Sequence, residues 1–121
     1  MDGHPQGSHE YEPTILLLKY LLDTSPSLSN VQTEAYFDSW PEGPSVLDEA
    51  DVIVVNSAGT DQGLDAHGLY ARGRFEQVKK QMERGCGLVM LHNFTVHPME
   101  YHEPATEWLG GHFDYETAEG E

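Results

Sequence analysis

Basic residues are scarce in this chain. Six Lys and Arg stand against 21 Asp and Glu, for a formal net charge of -15. Binding to a phosphate backbone needs a basic footprint, so nucleic acid is excluded as a partner. Anionic membrane surfaces are excluded by the same argument. There is a single cysteine, Cys86, so no disulfide can form within the chain. Long apolar runs are missing too. None is longer than the four residues of Ile15 to Leu18, far too short for a membrane span. No signal peptide is visible at the polar N-terminus, so a soluble protein, cytoplasmic by default, is the expectation. The apolar share of 38% is low for a chain of 121 residues, which points to one domain with a small core.

What is present is an alternation of helical and strand-like segments. Residues 1–12 read as loop, and Pro13 suits the first turn of a helix running from Thr14 to Leu22. Val31 to Phe37 alternates partly and is rich in strand formers, so a strand is expected there. Ser45 to Ala50 is expected to form a helical turn. Asp51 to Asn56 is a β-branched run without alternation, as in a parallel strand covered on both faces. Ser57 to Gly68 is a polar loop. Arg72 to Arg84 has helical spacing, with Phe75, Val78 and Met82 on one face and Gly85 as the glycine that ends it. Gly87 to Leu91 is a second buried strand, and Pro104 to Leu109 a short helix before the turn Gly110-Gly111. The sum is a three-layer α/β fold with an incomplete parallel sheet. The domain occupies residues 1–113, and 114–121 form an acidic mobile tail.

In open α/β sheets, ligands bind in the crevice outside the carboxyl ends of the strands. His92 stands where the strand Gly87–Leu91 stops. A histidine there can serve as a general base or a metal ligand, or can simply hydrogen-bond the turn. Asn93 follows it, and Asp61 lies in the polar loop after the other buried strand, where it can hydrogen-bond a ligand hydroxyl. His4, His9 and Glu10 lie in the opening loop. If that loop also follows a strand, His4 and His9 with His92 form a candidate site for a divalent metal such as zinc, although their spacing is not diagnostic. His97, His102 and His112 are too irregularly spaced for one helical face, five residues being about 140° out of register. His97 and His102 are expected at the surface. Cys86 lies before its strand, between two glycines, and reads as a small buried thiol.

Several stretches together resemble the ThuA-like, or trehalose-utilisation, family of the class I glutamine amidotransferase-like superfamily. They are Gly7-Ser8-His9-Glu10-Tyr11, Ser39-Trp40-Pro41, Leu47 to Val54, Arg84 to His92, and Trp108-Leu109-Gly110-Gly111-His112-Phe113. Their order matches the family and covers most of the chain. The resemblance implies a flavodoxin-like fold and a sugar-derived small-molecule ligand. It implies roles for His92, His9 and Glu10 in catalysis, and for Asp61, Asn93 and His112 in substrate binding. Against that pattern, the chain is expected to lack the family's first strand and its C-terminal part. The sheet would then show a gap or an altered strand order, or be completed by a second copy or another chain. Amidotransferase chemistry is disfavoured, because His92, Asn93 and Phe94 occupy the turn where that superfamily places its cysteine. The alternative is a non-catalytic binding or assembly module, a truncated or degenerate family member.

Overall fold

A computed structural model describes residues 9–37, 40–43, 45–60 and 66–113. His4, Asp61 and the tail 114–121 lie outside them. The chain divides into two compact units, Met1–Glu42 and Gly43–Glu121. The architecture is mixed α/β, with three helices and a two-stranded parallel sheet among the described residues. No helix among them is long and apolar enough to cross a membrane.

Among its described residues the first unit holds one helix, α1 (Tyr11–Thr24), longer at both ends than the sequence suggests. Pro13 sits in its first turn, where no intrahelical N–H bond is lost. The Thr14 N–H and hydroxyl both donate to the Glu10 carbonyl, at 3.1 and 2.6 Å. None of the α1 residues is buried. The strand expected over 31–37 is absent. These residues belong to no ladder, and a side-chain network satisfies part of their backbone instead. Lys19 Nζ donates to the Thr33 carbonyl at 2.6 Å and to Asp23 at 2.7 Å, and the Thr33 hydroxyl donates to Asp23 at 2.5 Å. The alternation Val31, Thr33, Ala35, Phe37 carries the propensity, but a parallel strand exists only where a neighbour supplies its hydrogen bonds.

The second unit is built on a strand–helix–strand crossover. Strand β1 (Val52–Asn56) pairs in parallel with β2 (Gly87–Leu91), Val52 opposite Gly87 and Asn56 opposite Leu91. Helix α2 (Arg74–Glu83) connects them, and α3 (His102–Leu109) follows β2. Helix α2 starts two residues later than its spacing predicts, because Arg72 takes left-handed backbone (φ 57°) and breaks the run. Its end is as expected. Gly85 adopts φ 89°, its N–H bonds the Met82 carbonyl at 2.9 Å, and the Cys86 N–H bonds the Gln81 carbonyl at 3.0 Å. This paired arrangement satisfies two orphan carbonyls of the last turn. The predicted turn over 45–50 is present, with Asp48 N–H to Ser45 O at 3.0 Å. A polar clamp ties it to α2. Lys80 and Gln81 donate to the Asp48 carboxylate at 2.7–2.8 Å, and Arg84 donates to the Gln81 side chain and to the Leu47 and Ala50 carbonyls.

Register assigns the two sheet faces, because paired residues in a parallel ladder point the same way. Ile53, Val55, Leu88 and Met90 share one face. Helices α2 and α3 stand side by side and line a common groove with Cys86, which has the parity of Leu88. Ile53 on this face is 8% exposed. The opposite face carries Val52 and Val89, at 55% and 43% exposed. The two-sided cover expected for β1 is therefore not reached. The sheet is only two strands wide, and its Val52/Val89 face stays exposed. The core instead gathers around Leu69, Val78, Phe94, Val96 and Ala105, all buried.

Candidate functional site

Strands β1 and β2 end side by side at Asn56 and Leu91, and the loops that follow form the carboxyl edge of the sheet. Gly59 lets these loops meet. A Cβ there would run into the Asn93 carbonyl and come within 2.7 Å of the Val96 carbonyl. No other residue type allows so close a backbone approach.

His92 opens a single 3-10 turn, His92–Thr95, directly after β2. Its backbone is left-handed, with φ 62°. Only a few per cent of non-glycine residues adopt this region, and such outliers cluster at functional sites. The side chain is exposed, and Nδ1 lies 2.5 Å from Asn93 Oδ1. With the amide oxygen accepting, Nδ1 carries the proton and the basic lone pair is on Nε2. Thus Asn93 orients the imidazole.

His112 is placed elsewhere. Its ring stacks on His102 at 3.9 Å, and its Nδ1 lies 2.8 Å from the Thr106 hydroxyl, which itself donates to the His102 carbonyl. His112 therefore donates to Thr106 and is anchored on α3. His9 and Glu10 belong to the first unit, where His9 stacks on Tyr11 at 5.6 Å. Among the described residues, no three His, Cys, Asp or Glu side chains form a metal-holding group.

A second histidine cluster is not anticipated by the sequence. His97, expected at the surface, is 1% exposed, and His67, placed in a polar loop, is wholly buried. Their rings stack at 5.2 Å. The Leu69 N–H donates to His67 Nδ1 at 3.2 Å, so the His67 proton is on Nε2, which faces the Phe94 carbonyl at 3.3 Å. His97 Nδ1 pairs with the Tyr70 hydroxyl at 2.6 Å, while its buried Nε2 has no hydrogen-bond partner among the described residues. Burial holds both imidazoles neutral, lowering each pKa to about 4; for His67 the bond to Phe94 opposes the shift, and for His97 the neighbouring histidines add to it. His102 donates from Nε2 to the His97 carbonyl at 3.1 Å and so joins the cluster from α3. The signal available in the sequence is the apolar run Leu69-Tyr70-Ala71 beside His67, all three buried.

Cys86 is buried, as expected from its position between glycines. Desolvation pushes its thiol pKa up, which opposes nucleophilic use. Compared with protein-family models, curated proteins and solved structures, the chain matches none.

Proposed function

We propose that the crevice at the carboxyl ends of β1 and β2 binds a carbohydrate-derived small molecule in a flavodoxin-like, ThuA-like domain, with His92 as its base. The observation that carries this reading is the left-handed, exposed His92 at the end of a parallel strand, oriented by Asn93. A strained residue at a sharp strand-to-helix turn is a recurrent way to present a reactive side chain above a parallel sheet. The sequence resemblance supports the ligand class. Asn56, Ser57 and Thr60 line the neighbouring strand end with polar groups suited to sugar hydroxyls. His92 Nε2 accepts a proton from a ligand hydroxyl or from a carbon beside a carbonyl. Asp61, in the loop that follows β1 in sequence, is proposed to contribute a carboxylate to the same site.

His92→Ala and Cys86→Ala, compared in binding and turnover of simple disaccharides and their oxidised forms, test the assignment. We expect His92→Ala to abolish activity and Cys86→Ala to leave it within about twofold, a change well under 1 kcal/mol. The reverse pattern would demand a thiol mechanism.

The open apolar face at Val52 and Val89 favours a second reading, a non-catalytic assembly module whose exposed sheet face a second copy or another chain covers. Concentration-dependent sedimentation together with loss of self-association in Val89→Lys would support it.

A further inference from the structure

A groove of about 470 Å³ runs between α2 and α3. It belongs to a different part of the second unit from His92. Cys86, one of its lining residues, precedes the amino end of β2, whereas His92 follows the carboxyl end. Its volume is in the range of small-molecule sites. The apolar part is aromatic and thioether, with Phe75 and Trp108 stacked at 5.4 Å and Met82 beside them. The polar part is three carboxylates, Glu83, Glu103 and Glu107, against one ammonium, Lys79.

Acid outnumbers base in this lining. None of the three carboxylates forms an ion pair with a described residue, although Lys79 lines the same groove. Glu103 and Glu107 stand one turn apart on α3, a like-charge spacing that destabilises an isolated helix. The same groove thus offers Phe75 and Trp108 to an apolar body and carboxylates to a cation attached to it. Aromatic faces and carboxylates both attract an ammonium ion.

We propose that this groove is a binding site for a small organic ammonium ion with an aromatic or alkyl body. Carboxylates set the sign of the ligand charge, and Phe75, Met82 and Trp108 supply the apolar contact. The site stands independently of the function proposed for the His92 crevice.

The probe is the phenethylammonium ion, titrated into the full chain carrying Trp40→Phe, so that Trp108 alone reports by fluorescence. The neutral 2-phenylethanol and the anion phenylacetate are the charge controls. Saturable quenching by the ammonium ion is expected, weakened at least about tenfold for the alcohol and absent for the anion. Glu103→Gln/Glu107→Gln, at exposed helix positions, should keep the far-ultraviolet dichroism of the parent and weaken the ammonium ion about tenfold. Equal binding of all three probes would overturn the proposal, as would no saturable binding or an unchanged affinity in the Gln variant. Should that variant misfold, raising salt on the parent decides the question in its place. The ammonium ion must weaken while the alcohol does not, and the opposite result refutes the site.

Discussion

Acid should undo the second unit well above the carboxylate range. His67 and His97 are buried and neutral, with pKa values lowered to about 4 from an ordinary 6.5. A depressed histidine pKa means that the unfolded chain takes up a proton that the folded chain refuses. Stability is therefore complete above pH 6.5 and falls as pH drops from 6.5 toward 4. At pH 5 each residue should remove roughly 2 kcal/mol, from 1.36 kcal/mol per pH unit. Together they should remove roughly 4 kcal/mol, a large share of the 5–15 kcal/mol that holds a typical domain together. The structural cause is concrete. A second proton on His67 would have to enter Nδ1, which accepts the Leu69 N–H, on a ring whose centroid lies 5.2 Å from that of His97. The assay is urea denaturation at pH 7, 6 and 5, read by Trp108 in a Trp40→Phe background. Trp108 is half-buried against Phe75 and belongs to the second unit. His67→Phe, where it folds, should halve the pH slope. A stability change under about 1 kcal/mol between pH 7 and 5 in the parent would refute the neutral-histidine argument.

Three further outcomes follow from backbone geometry and burial. Gly59→Ala should cost about 2 kcal/mol or more, since its Cβ would strike the Asn93 and Val96 carbonyls; a melt of the variant reads it directly. Gly85→Ala meets no atom within 4 Å but must hold φ 89°, so it should cost only about 1 kcal/mol, from backbone strain alone. Cys86 should react with a maleimide far more slowly than free cysteine at pH 7 and reach the free rate in urea, because the thiol is buried and its pKa raised.

Local signals in the sequence carry most of the second unit. The β-branched run at 52–55, the glycine at 85 and the apolar spacing of α2 each act over a few residues, and each appears near its predicted place. The strand expected over 31–37 does not form because a strand depends on a partner that local alternation does not reveal. Lys19 and Asp23, ten or more residues away, claim Thr33 instead. The same limit applies to burial. His67 and His97 look like polar loop residues, yet both are sealed by contacts spanning 27 residues, to Phe94 and Tyr70. The position of His92 is legible because its place at a strand end is a local property; its left-handed backbone and its contact with Asn93 are not.

Ligand binding at the carboxyl edge of the sheet around His92 is the central claim. Amide chemical-shift mapping of the uniformly labelled chain, titrated with trehalose and with an oxidised disaccharide, tests it most directly. Saturable shifts are predicted at Asn56–Thr60 and His92–Asn93, abolished by His92→Ala in a variant that keeps the parent spectrum elsewhere. Saturable shifts confined to other residues, or shifts at these positions that survive His92→Ala unchanged, would contradict it.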